Sequence, residues 1–131
     1  MTPLTLVAYD SRWPAAFDLE RERLQSALGS LAVRIDHHGS TSIEGLSAKP
    51  IIDIQISVRS LVPLAAYGEV LERLGYTHKP HPDDAWCPYF YRPAIKPHTH
   101  HVHVVEAGGD PERRTLAFRD YLREHPDAAR D

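Results

Sequence analysis

Gly39-Ser40-Thr41-Ser42 lies a short distance upstream of Asp53, and that spacing is suited to holding phosphate. Gly39 lets the backbone approach a ligand closely, the hydroxyls of Ser40, Thr41 and Ser42 with local N–H groups can bond phosphate oxygens, and Asp53 could hold a neutralising cation. Gln55 shares the parity of Asp53 in the run Ile52-Asp53-Ile54-Gln55-Ile56-Ser57-Val58, so both point the same way. Lys49, just before Pro50, is placed to reach a phosphate at the mouth of such a site.

Histidine is the second chemical resource. Nine occur in 131 residues, and His98, His100, His101 and His103 are clustered. In a strand over residues 99–106, His101 and His103 share one face and Val102 and Val104 the other. If that strand lies beside Asp53, then Asp53, His101 and His103, joined by His38, are candidate ligands for a divalent ion, with zinc, manganese or iron favoured over magnesium. Direct contact of the imidazoles with ligand, or a plain polar sheet face, are the alternatives. Arg92, at the end of an aromatic strand over residues 86–92, is a further ligand-binding candidate. Ser40, His38 and Asp36 have the residue types of a nucleophilic triad, but neighbours along one strand do not hold a relay in line.

The elements that would position these groups are readable from periodicity. Residues 52–58 alternate isoleucine and valine with polar residues, as a half-buried strand does. Residues 31–38 alternate Val33, Ile35 and His37 against Arg34, Asp36 and His38. Residues 14–28 form an amphipathic helix with Phe17, Leu24 and Leu28 on one side, closed by Gly29. A second helix is predicted over residues 61–74, opened near Pro63 and stopped at Gly75. Residues 76–84 read as a Pro- and His-rich loop. Asp110-Pro111-Glu112 predicts a helix start, with Asp110 as cap and the helix running to residue 123. The alternating elements give an α+β domain, a mixed sheet flanked by helices.

Five blocks in order extend this reading: residues 9–14 (YDSRWP), 38–42 (HGSTS), 49–54 (KPIIDI), 100–106 (HHVHVVE) and 118–123 (FRDYLR). Together they resemble the GrpB family, a branch of the nucleotidyltransferase-like superfamily of polymerase β type, which pairs a Gly-Ser turn with an Asp-x-Asp or Asp-x-Glu strand. The resemblance implies a nucleotidyltransferase-like fold; joined to the residue reading above, it makes metal-assisted nucleotidyl or phosphoryl transfer the leading expectation, with Asp53, His101 and His103 as the catalytic set, Asp53 as ligand and the histidines as ligands or acid–base groups. Gln55 departs from the superfamily pattern: it stands where a second carboxylate would be, and one carboxylate with an amide is a thin ligand supply for two-metal chemistry. GrpB-like domains fused to dephospho-coenzyme A kinases imply the alternative of a non-catalytic ligand-binding or accessory module. The alternating histidines are also similar to those of histidine-triad nucleotide hydrolases, although Thr99 occupies the first of the three positions. GrpB-like chains usually continue in helical sequence beyond His125-Pro126, whereas this one stops at Asp131. A short form lacking that helical extension would leave an apolar patch for a partner or a homodimer mate.

Composition sets outer bounds. A 131-residue chain with 42% hydrophobic residues suits one globular domain, residues 1–131. A net charge of -3 without a Lys/Arg run argues against duplex nucleic acid as partner and leaves a nucleotide or other phosphorylated small molecule as the ligand class. The single Cys87 excludes an internal disulfide. With no apolar run of spanning length and no signal peptide, a cytoplasmic location without membrane association is expected. A divalent cofactor, Mg, Mn or Zn, follows if the metal reading holds. Whether the chain is an enzyme stays open on sequence alone.

Overall fold

A computed structural model describes residues 5–130. Helix α1 (Trp13–Leu28) buries Trp13, Phe17, Glu20, Leu24 and Leu28, a stripe recurring every three or four residues. It ends at Gly29, whose φ of 55° releases the chain from the helix. The strands are β1 (Ala32–His38), β2 (Ile52–Val58), β3 (Thr77–His78), β4 (Tyr89–Arg92) and β5 (His100–Glu106). Helix α2 (Ala65–Arg73) precedes β3, and α3 (Asp110–Glu124) and α4 (Pro126–Arg130) follow β5. Asp131 lies outside the described residues.

The five strands form one mixed sheet in the order β1-β2-β5-β4-β3. Only β2 and β5 run parallel; the other neighbours are antiparallel. One face of the sheet is apolar. Ile54, Val102 and Phe90 lie side by side across β2, β5 and β4 and are wholly buried, with α1 and α2 packed over them. Removing these chains from water is the main favourable contribution to the fold.

The other face carries polar groups in two cross-strand rows. His38, Asp53, His101 and Tyr91 are successive partners across β1, β2, β5 and β4. Asp36, Gln55, His103 and Tyr89 form the next row. Helix α3 crosses this face and is tied to it by charge-assisted hydrogen bonds: Arg119 Nη1 donates to the His37 carbonyl at 3.2 Å and Arg123 Nε to the Ser42 carbonyl at 3.0 Å.

Several expectations need correction. Val33 is exposed rather than inward, because the β1–β2 register slips between Ala32 and Arg34 and Ala32 takes the buried place. Residues 76–84 are not a plain loop: β3 lies there, followed by a 3₁₀ turn over Pro82–Ala85. At α3 the cap is Gly109, and Asp110 is the first helical residue, where its charge faces the helix N-terminus. Among the described residues no helix is long and apolar enough to cross a membrane.

Candidate functional site

Gly39 ends β1 with φ 73°, a conformation that disfavours residues with a Cβ. A Cβ there would lie 2.3 Å from Asp53 Oδ2, so the close approach of turn and carboxylate requires glycine. The following 3₁₀ turn, Ser40–Ser42, uses its hydroxyls unequally. Ser42 Oγ donates to the Gly39 carbonyl at 2.6 Å and closes the turn. Thr41 is buried; its Oγ1 donates to the Ile51 carbonyl at 3.1 Å and stands 2.9 Å from His37 Nε2. Thr41 and Ser42 are thus engaged internally, although Thr41 still borders a cavity, and Ser40 is the exposed hydroxyl beside Asp53.

Two cavities open on the polar face, and Ser40 borders both. The larger, about 1160 Å³, is lined by Asp53, His101, His98, Lys49, Lys79 and Lys96 among others. Asp53 Oδ1 lies 3.6 Å from His101 Nδ1, and His101 Nε2 lies 3.1 Å from His98 Nδ1. His98 stacks on Tyr91 with ring centroids 4.3 Å apart. Burial, together with the positive potential from His101, lowers the pKa of His98. The result is a carboxylate–imidazole–imidazole chain beside three lysines. Sequence reasoning missed His98, Lys79 and Lys96. The lysines sit in irregular segments where no periodicity betrays a facing direction, and the His98–His101 contact depends on how the chain turns into β5.

The smaller cavity, about 550 Å³, lies between the sheet and α3. Gln55 and His103 line it from the sheet, with His38 at the same wall. Gln55 is 1% exposed and its Nε2 has no hydrogen-bond partner in the protein; the same is true of His38 Nε2 and His103 Nδ1. Burial pushes His103 down to about 4 and lowers His38 as well, so both rings are neutral near pH 7. His103 stacks on Tyr89 with centroids 5.0 Å apart.

The predicted ligands are thus divided. Asp53 and His101 meet in one cavity, while His38, Gln55 and His103 face the other. Among the described residues no group of three or more His, Cys, Asp and Glu side chains is arranged to hold a metal ion. The donor chemistry explains why: Gln55 supplies an amide in place of a carboxylate, and His101 Nε2 is already engaged by His98. The residues present do not fit a metal held by protein donors alone.

Arg92 is not brought to either cavity. It shares the parity of Phe90 and lies on the apolar face, where its Nη2 donates to Glu20 Oε1 at 3.2 Å. Glu20 is 4% exposed and also accepts from Tyr76 Oη at 2.6 Å and from Arg23. Burial opposes its charge, but these hydrogen bonds and the Arg92 charge outweigh burial and hold Glu20 at about 2.

A family model described as GrpB protein matches residues 3–131. The UPF0157 protein YqkA of Bacillus subtilis is 42% identical over 126 residues, covering 96% of this chain and 36% of that protein. A crystal structure of the conserved protein GrpB from Enterococcus faecalis superposes with a TM-score of 0.86 at 34% identity, covering 95% of this chain and 76% of the other. The Cid1 poly(U) polymerase, solved with MgGTP bound, shares the fold with a TM-score of 0.59 at 12% identity, covering 88% of this chain and 39% of the other. The chain spans about a third of the length of YqkA and about three-fifths of the UPF0157 protein BH1888 of Halalkalibacterium halodurans.

Proposed function

The chain belongs to the GrpB family, and from that premise we propose that the cavity beside Gly39 binds a nucleotide or another phosphorylated small molecule. One observation carries this reading. Lys49, Lys79 and Lys96, from three separate segments, line a cavity whose only carboxylate among the described residues is Asp53. Such a lining attracts and retains a multiply charged anion. Ser40, exposed and lining the same cavity, offers its hydroxyl as a hydrogen-bonding group there.

The test is calorimetric titration with inorganic tripolyphosphate and with nucleoside triphosphates, each with and without Mg, Mn and Zn. Binding is expected, weakened about three- to tenfold by Lys49→Ala or Lys96→Ala and further by added salt. Absence of binding at millimolar concentration, or lysine variants that bind as the wild type does, would sink it.

A second reading, transfer of a phosphoryl or nucleotidyl group, is favoured by the Asp53–His101–His98 chain. A neutral His98 is ready to accept a proton from an acceptor hydroxyl as the new P–O bond forms and the bond to the leaving phosphate oxygen breaks. His101 then shares the positive charge and Asp53 stabilises it. The amide at Gln55 favours the non-catalytic module instead. Histidine-based hydrolysis is the least favoured, because His101 and His103 open to different cavities.

A further inference from the structure

The slot between the sheet and α3 has no role in the phosphate site, yet it is built like a ligand pocket. Its walls are largely apolar, with Ile43, Val105, Pro111 and Leu122 inside and the exposed rings of Trp86 and Phe118 in its lining. Its about 550 Å³ lies within the range of small-molecule sites. Against that apolar lining stand three buried polar atoms without a partner in the protein: Gln55 Nε2, His38 Nε2 and His103 Nδ1. Buried polar groups left unpaired are costly, and three of the seven such atoms among the described residues gather along one wall of this slot.

Two of the three atoms set the chemistry the slot would recognise. Gln55 Nε2 carries N–H donors. His38 Nε2, on a ring that burial keeps neutral, donates or accepts according to the tautomer. An amide donor beside an imidazole nitrogen, set in an apolar slot with aromatic rings in its lining, matches the edge and faces of a planar nitrogen heterocycle.

We infer that the slot under α3 is a nucleobase site, read by Gln55 and His38 and continuous with the phosphate cavity across Ser40. This assignment rests on the phosphate reading of the neighbouring cavity for its orientation, because Ser40 borders both spaces. A nucleotide would lie with its base beneath α3 and its phosphates among the lysines. Gln55 then has a use as an amide, which a carboxylate would not serve in the same way.

The two halves can be probed apart. Adenosine, inosine, cytidine and uridine carry no phosphate and report on the slot; tripolyphosphate carries no base and reports on the lysine cavity. Titrated into isotope-labelled protein, at least one nucleoside should shift the Gln55 side-chain amide and the His38 and His103 ring signals saturably. Thr115→Trp, which fills the slot from α3, should abolish those shifts while leaving the tripolyphosphate response of Ser40 and Lys49 intact. Gln55→Leu, close in volume, should weaken the same nucleoside at least tenfold. The inference is overturned if no nucleoside moves these signals, or if the shifts survive both substitutions. Loss of the tripolyphosphate response alone would sink the phosphate reading and leave the slot upheld by its nucleosides.

Discussion

At the scale of single residues, the tightest constraint is the contact between Gly39 and Asp53. Two costs meet if Gly39 is replaced by alanine: a positive φ that L-residues disfavour, and a Cβ placed 2.3 Å from Asp53 Oδ2. We expect Gly39→Ala to lose about 1–3 kcal/mol of stability. Part of the loss should disappear in an Asp53→Ala background, because the overlapping oxygen is gone while the φ penalty remains. Denaturant unfolding of the wild type, both single variants and the double variant measures that coupling. Strictly additive losses would show that the carboxylate does not constrain the turn. Gly39, Ser40 and Asp53 are legible in the sequence because glycine and an alternating strand declare their geometry locally. Thr41 and Ser42 are not, since the partners that absorb their hydroxyls, Ile51 and Gly39 carbonyls, are fixed only once the turn has folded.

At the scale of elements, period-2 alternation placed Asp53, Gln55, His101 and His103 on one sheet face, and the cross-strand register confirms it. The same rule, applied to β4, puts Arg92 with Phe90 on the apolar side, away from both cavities. What the pattern hides is why a cation is tolerated there. Glu20 looks like one of several solvated acids on α1, but it is buried beneath Tyr76 and Arg92, so the two elements are joined by a paired charge cluster, in which Arg92 Nε is left without a partner. Truncating Arg92 to alanine removes one of its partners and leaves Arg23 and Tyr76 in place. A loss of about 2 kcal/mol is expected, below the cost of a wholly unpaired buried charge. Affinity for tripolyphosphate should stay within twofold of wild type. A stable Arg92→Ala protein with impaired tripolyphosphate binding would return Arg92 to the ligand site.

At the scale of the whole molecule, the smaller cavity exists because α3 crosses a polar sheet face that could have stayed open to water, whereas the larger one is lined by strands and loops. The sequence announces α3 through Asp110-Pro111-Glu112, but not where it docks, because Arg119 and Arg123 hold it through backbone carbonyls of residues about eighty positions away. The packing on both faces also leaves histidines buried and uncharged. Burial brings His37, His100 and His103 each down to about 4. His37 is 6% exposed, stacked on Phe17 with centroids 4.9 Å apart, and meets the positive potential of Arg123, His38 and Arg119, partly offset by Asp53. An unfolded histidine titrates near 6.5. Below that pH the unfolded chain binds protons that the folded chain refuses, so stability falls as pH drops through 6.5 and stops falling on this account near 4, where the folded rings protonate in turn. For His37 alone the difference approaches about 3 kcal/mol at the acid end of that window. Unfolding free energies measured from pH 7.5 to 4.5 should decline steeply, and His37→Gln, which keeps a hydrogen-bonding group toward Thr41 without a titrating ring, should flatten the decline. An equal slope in the variant, or a wild-type stability that is level across the window, would mean that His37 is free to take up a proton in the folded protein, and that the seal of α1 and the Ser40–Ser42 turn over its ring is looser than the packing indicates.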